Sequence, residues 1–117
     1  GPDHPDSLTA ASKFARGLFQ LGATDSARAL AEDTLQCCRR TLGRDHPTTL
    51  VAAIASVEAL IMVGESQQAR ALGQDTLQRC RRVLGPDHAT TLWTAGNHML
   101  ALGLVGEAEL ADALGDR

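Results

Sequence analysis

Residues 43–50 read Gly43-Arg-Asp-His-Pro-Thr-Thr-Leu50, and nearly the same eight residues occur at 1–8 and at 85–92. The three copies start at residues 1, 43 and 85, so the period is 42 residues. A fixed period of roughly 20–50 residues is typical of stacked supersecondary units, each unable to bury its apolar face alone. The pattern predicts one domain, 1–117, built from repeats 1–42, 43–84 and a partial third at 85–117.

Each repeat has the sequence signals of two antiparallel helices. Proline suits the first turn of a helix, so the first helix is predicted to begin at Asp-His-Pro, with the His or Asp as its cap. Gly22, Gly64 and Gly106 follow the periodic segments and predict left-handed C-caps that end the first helices. In the second repeat, the first helix (47–63) is apolar nearly all round and is expected to be buried on both sides.

The second helices are predicted from their charged ends. They should begin near Thr24-Asp25 and Glu65-Ser66 and end at Arg39-Arg40 and Arg81-Arg82, so that charges complement the helix dipole. The third repeat holds only the first half of such a helix. Either the chain stops within a repeat or further repeats follow in the natural protein.

The helix-turn-helix unit, its central glycine and the alanines at 27, 69 and 111 resemble tetratricopeptide repeats. The 42-residue length and the Gly-x-Asp-His-Pro-x-Thr-Leu opening are similar to the kinesin-light-chain type of that family. The resemblance implies an all-α fold of tetratricopeptide-type helix-turn-helix repeats, stacked as a right-handed α-solenoid of two full repeats plus a partial third. It also implies a protein-binding scaffold whose first helices line a concave groove.

Composition excludes several other classes of function. The net charge of −3 supplies no basic field for nucleic acid. No apolar run reaches the roughly 20 residues of a membrane span, and no signal peptide is evident, so we expect a cytoplasmic protein without membrane partners. The three cysteines do not form a disulfide framework and are expected to be reduced. Ten arginines against one lysine, Lys13, are typical of a GC-rich genome.

Comparison of the repeats separates scaffold from surface. Residues 27–42 and 69–84 share 12 of 16 identities, whereas 9–20 and 51–62 share only 3 of 12. Because the resemblance implies that the first helices line the concave groove, it also implies that their divergent positions form the binding face, which is basic at one end and apolar from its middle onward. The residues assigned to partner binding are Lys13, Arg16, Phe19, Val51, Ile54, Glu58, Ile61, Met62, Trp93, Asn97 and Leu100.

Three interpretations of the apolar stripe in the second repeat stay open. Its residues could pack against neighbouring first helices, line a groove for a partner segment, or mediate self-association. The function predicted is a protein–protein interaction scaffold that binds a peptide or helix of a partner through its concave face, within a larger bacterial signalling or regulatory protein. The alternative is a homo-oligomerisation module that uses the apolar groove or the open C-terminal end near Leu110 and Leu114.

No enzymatic role is predicted. His4, His46 and His88 occur once per repeat, too far apart to ligate one ion, and are expected to cap helices instead. No nucleophilic triad, paired carboxylate or phosphate-binding loop stands out. We therefore expect no catalytic residue, metal or cofactor.

Overall fold

The structure, a computed structural model, describes residues 4–115. This part of the chain forms five α-helices: α1 (Pro5–Gln20), α2 (Thr24–Leu42), α3 (Pro47–Met62), α4 (Ser66–Val83) and α5 (Ala89–Leu114). The molecule is elongated, 51 × 32 × 22 Å. The predicted starts of α2 and α4 are confirmed, and the predicted arginine pairs lie in their last turns.

The repeated histidines cap the first helices. The Nδ1 atoms of His4, His46 and His88 each accept a hydrogen bond, 3.1 Å long, from the backbone N–H two residues later. Each histidine has extended backbone angles, as an N-cap requires. The predicted capping role is therefore confirmed.

Glycine turns end α1 and α3 in the same way. Gly22 has φ +85° and Gly64 has φ +83°, values that L side chains rarely adopt. The N–H of the following residue bonds back to Leu18 in one turn and to Leu60 in the other, each over 2.9 Å. This six-residue closure is a Schellman motif, which satisfies the last carbonyls of the helix.

The predicted turn at Gly106 is wrong, because α5 continues through it to Leu114. A glycine permits the left-handed turn but does not enforce it. The helix runs through Gly106 without a break to its cap at Gly115. Residues 107–111 are strong helix formers, and one helical glycine costs only about 1 kcal/mol, so local continuation is favoured.

The helices form two layers: α1, α3 and α5 lie close together in one, and α2 and α4 lie farther apart in the other. α2 packs between α1 and α3, and α4 packs between α3 and α5; α1 and α5 also contact α3 directly. Among residues 4–115, no Cα atom of α2 lies within 8 Å of one in α4, although Leu72 of α4 packs against the cluster that contains Leu35 and Cys38 of α2. Since the first helices lie closer together than the second helices, the stack is concave on the side of α1, α3 and α5.

α3 is the centre of the core, as its all-round apolar sequence predicts. Its buried residues form an almost unbroken run from Thr49 to Ala59. Val57 packs in a cluster with Ala69 of α4 and Ala101 of α5. α3 therefore contacts every other helix, and the domain is organised around it.

An ion-pair network joins the two ends of the second repeat. The Asp45 carboxylate, just before α3, accepts hydrogen bonds from Arg79 over 2.8 Å and from Arg82 over 2.9 Å. These arginines, Arg79 foremost, hold the pKa of Asp45 below its usual range. Arg82 was expected only to complement the helix dipole at the end of α4. It also binds Asp45 in the loop that starts the repeat.

Where one repeat packs on the next, the side chain on the first helix is matched in size to the residue that it faces on the second helix of the preceding repeat. At the first junction, the Ser56 hydroxyl donates to the backbone oxygen of Ala31 over 3.3 Å. At the second, His98 and Gly73 occupy the corresponding positions, and a Cβ on Gly73 would lie 3.1 Å from His98 Nδ1. The larger side chain, that of His98, therefore faces glycine, which has no side chain. Burial, with Arg70 and Arg81 adding repulsion, lowers the pKa of His98.

Replacing His46 with alanine tests the cap. We expect the free energy of unfolding to fall by about 1 kcal/mol, since the N–H of Thr48 loses its acceptor. His46→Asn is the matched control, because an asparagine oxygen can accept the same bond, and it should keep most of the stability. Urea unfolding followed by circular dichroism measures both variants. Equal losses in the two would show that His46 acts by packing and not by capping.

The Gly73–His98 pair predicts non-additive mutations. Gly73→Ala improves helix propensity by about 1 kcal/mol, but its new Cβ presses on His98 Nδ1. In a His98→Ser background, alanine at 73 faces serine at 98, as Ala31 faces Ser56 at the first junction. The close contact with the imidazole is then absent. We expect Gly73→Ala to be more stabilising in that background, by about 1 kcal/mol. A double-mutant cycle from urea unfolding measures the difference, and additive effects would contradict the size-matching argument.

Candidate partner-binding site on the inner face

Three side chains connect the three repeats across the concave side. Arg16 of α1 and Glu58 of α3 occupy equivalent repeat positions, and Arg16 Nε lies 3.3 Å from Glu58 Oε1. The indole Nε1–H of Trp93, on α5, donates to Glu58 Oε2 over 3.2 Å. The Arg16 guanidinium also lies over the Trp93 ring, 4.6 Å from its centroid. We call these three residues the Arg–Glu–Trp cluster.

The cluster holds a tryptophan in place on an accessible face. Arg16 is half exposed and Glu58 largely covered, so their Coulombic attraction is partly screened and stabilises by only about 0.2–1 kcal/mol. The cation–π contact adds an energy of similar size. Glu58 Oε1 is buried and accepts no well-aligned hydrogen bond, so the arginine neutralises this oxygen without satisfying it fully.

A shallow groove lies beside the cluster, between α1 and α3. It has a volume of about 240 Å³ and is lined by Arg16, Phe19, Gln20, Glu58 and Met62. Phe19 is half-buried and packs against Ala15, Ala31 and Ala59, whereas Met62 is exposed. A groove of this size suits one or two side chains of a polypeptide better than a whole small molecule.

The structure sorts the residues assigned to partner binding by accessibility. Four are exposed: Lys13, Arg16, Met62 and Leu100. Six are partly buried: Phe19, Val51, Glu58, Ile61, Trp93 and Asn97. Only Ile54 is completely buried. Arg16, Glu58 and Trp93 belong to these first two groups, and they are the three that the structure brings together as the Arg–Glu–Trp cluster.

Two members of the predicted apolar stripe are packing residues. Ile54 has no exposed surface, so a partner cannot reach it, and this corrects its assignment to the groove. Ile61 packs against the cluster of Val57, Ala69 and Ala101. Asn97 uses its amide to donate to the backbone oxygen of Trp93 over 3.3 Å. For Ile54 and Ile61 the packing interpretation holds, because α3 is enclosed on several sides.

A second groove, on the convex side, was not predicted. It has a volume of about 450 Å³ and lies between α2 and α4, over α3. Its floor includes Leu35, Leu60 and Leu72, and its rim includes Arg39 and Asp75. The near-identity of the second helices favoured a scaffold interpretation and gave no sign of a gap. The groove exists because the backbones of α2 and α4 lie more than 8 Å apart, which is a property of the stack.

Cys38 and Cys80 are buried thiols, and burial, more than the neighbouring Cys37, raises the pKa of Cys38 to about 11. Within residues 4–115, no group of three His, Cys, Asp or Glu side chains is arranged to hold a metal ion. None of the helices in this range is both long and apolar enough to cross a membrane.

Comparison with known proteins identifies the family. The tetratricopeptide repeat model matches residues 7–48 and 58–90, more than half of the chain. The chain therefore belongs to the tetratricopeptide repeat family, and its repeat length is consistent with the kinesin-light-chain type. Repeats of this family generally mediate protein–protein interactions. A search of curated proteins returned no match.

Two substitutions at Glu58 separate the charge of the cluster from its hydrogen bond. Glu58→Gln keeps an acceptor for the Trp93 indole, so we expect the free energy of unfolding to fall by less than about 1 kcal/mol. Glu58→Ala leaves the indole N–H without its acceptor, and the loss should be about 1–2 kcal/mol. Urea unfolding followed by the fluorescence of Trp93, the single tryptophan, measures both. Equal losses would show that the indole hydrogen bond contributes nothing.

Proposed function

We propose that this domain binds a segment of a partner protein, as a peptide or a helix, along its inner face. The observation that carries the proposal is the Arg–Glu–Trp cluster, which places the only tryptophan at the junction of three repeats. Aromatic and arginine side chains dominate the energetics of protein interfaces when they lie near the centre of the contact. The exposed Met62 and Leu100 lie on the same first helices as the cluster.

The chemistry of the inner face favours a partner segment with an apolar residue and an acidic neighbour. Phe19 and Met62 offer apolar surface for one side chain in the groove. Arg16 and Glu58 nearly cancel each other's charge, and Lys13, three residues before Arg16 on α1, is an exposed cation. An acidic residue one helical turn or more from the apolar anchor would be attracted to Lys13.

The role we propose is binding and not catalysis, within a larger bacterial signalling or regulatory protein of the cytoplasm. The family membership supports a binding role, since such repeats serve many proteins as scaffolds. The bacterial assignment rests on the resemblance to tetratricopeptide repeats, which are abundant in bacterial multidomain signalling proteins.

Selection from a random peptide library tests the proposal directly. We expect the chain to enrich peptides with an apolar residue near Asp or Glu, and their binding to change Trp93 fluorescence. Met62→Glu and Lys13→Glu should each weaken the selected peptides by about tenfold or more, because they place a repelling charge on the inner face. Both positions are exposed, so thermal melting should stay close to wild type.

Val83→Glu is the matched control, since Val83 is an exposed apolar residue of α4, away from the first helices. It should bind the peptides as wild type does. Peptides that bind wild type and the Met62→Glu variant equally would place the binding surface elsewhere and contradict the proposal.

A further inference from the structure

The groove between α2 and α4 has two ends that differ in their ion pairs. At one end, Arg28 near the start of α2 pairs with Glu65, just before α4. At the opposite end, close to the C-terminus of α2, Arg39 and Arg44 line the groove. Within the described part of the chain, neither of these two arginines forms an ion pair. Their charges are therefore available to an anion that enters this end.

The carboxylate of Asp75, which lines the same end, is bound to another arginine. It accepts a hydrogen bond from Arg79 over 3.0 Å. Burial, and after it repulsion from Arg44, lowers the pKa of the Arg39 guanidinium, although Asp75 acts in the opposite direction. A lowered pKa of a cationic group means that its charged form is disfavoured where it lies. An anion bound between Arg39 and Arg44 would reduce the repulsion between them.

The floor of the groove between these two ends is apolar. It includes Leu35, Leu60 and Leu72, of which the last two are partly exposed. The volume of about 450 Å³ lies within the range of roughly 300–1,000 Å³ that is typical of small-molecule sites. Along α2, Leu35 precedes Arg39 by four residues, so the apolar floor and the cationic end are about one helical turn apart. This arrangement suits a small molecule with an apolar body and an anionic head.

The repeat itself does not require a cation at the position of Arg44. In the other two copies of the repeat opening, the same position holds Pro2 and Pro86. The opening at Pro86 still leads into a first helix capped by its histidine, as the one at Arg44 does. Arg39, in contrast, recurs in the next second helix as Arg81. The pairing of the two arginines is therefore particular to this groove.

We propose that the groove between α2 and α4 binds a small amphipathic carboxylate, whose apolar body lies on Leu60 and Leu72 and whose carboxylate lies between Arg39 and Arg44. Guanidinium groups match the two oxygens of a carboxylate with paired N–H donors. A dianionic phosphate fits this end less well, because Asp75 repels its second charge. The site lies on the convex side of the stack, so it is separate from the inner face.

Isothermal titration calorimetry with octanoate, kept below its micelle concentration, is the first test. We expect saturable binding of one octanoate per chain, and binding of the uncharged 1-octanol that is weaker by about tenfold or more. Arg44→Gln should weaken octanoate binding by a similar factor, because one of the two guanidiniums is lost. Arg40→Gln is the matched control, an exposed arginine of α2 outside the groove, and it should bind as wild type does. Absence of saturable binding, or equal affinities for octanoate and octanol, would overturn the proposal.

A second pair of variants locates the ligand. Ala71 is exposed and lines the groove, whereas Ala29, its exposed equivalent one repeat earlier, does not line it. Ala71→Glu should weaken octanoate binding by about tenfold or more, because its carboxylate repels the ligand, and Ala29→Glu should not. Thermal melting checks that both variants stay folded. Met62→Glu, on the inner face, should also bind octanoate as wild type does. A loss of octanoate binding in Met62→Glu, or displacement of octanoate by an equal concentration of inorganic phosphate, would refute the proposal.

Discussion

Each second helix in this domain is held between two first helices, and the rest of the structure depends on that constraint. α2 lies between α1 and α3, and α4 lies between α3 and α5. Neither would be stable alone at 18 or 19 residues with a largely polar surface. Packing on both sides stabilises them, and it turns the glycines after α1 and α3 into sharp reversals. At Gly106 no reversal forms, and α5 runs on to Leu114.

The same arrangement explains why the two sides of the stack differ. The first helices contact one another directly, so equivalent positions such as Arg16 and Glu58 come within ion-pairing distance across a repeat boundary. The second helices are separated, so equivalent positions on them line an open groove above α3. On the inner side, Arg16, Glu58 and Trp93 are tied to one another by an ion pair, a hydrogen bond and a cation–π contact, whereas on the outer side the ion pair of Arg28 with Glu65 spans the repeats beside the groove. An interaction surface with fixed geometry is favoured on the inner side for this reason.

The Arg–Glu–Trp cluster shows how divergence between repeats becomes useful. At one repeat position the three units carry Arg16, Glu58 and Leu100, which no packing requirement of the scaffold explains. Opposite charges at adjacent copies of the position attract, and Glu58 orients the tryptophan of the next repeat. The third copy, Leu100, is exposed and extends the apolar part of the face. The three repeats thus contribute charge, orientation and apolar surface to one site.

The amino-acid sequence by itself determined the local structure of this protein: the repeat boundaries, the histidine caps, the turns at Gly22 and Gly64 and the all-round burial of α3. Each of these depends on residues close together in the chain, such as a capping side chain and the N–H two residues later. It also placed Arg16, Glu58 and Trp93 on the divergent face. Only the tertiary structure decided that these three contact one another, that Ile54 is inaccessible, and that a groove opens between α2 and α4. It also decided that α5 continues through Gly106, because a glycine permits a left-handed turn but does not enforce one.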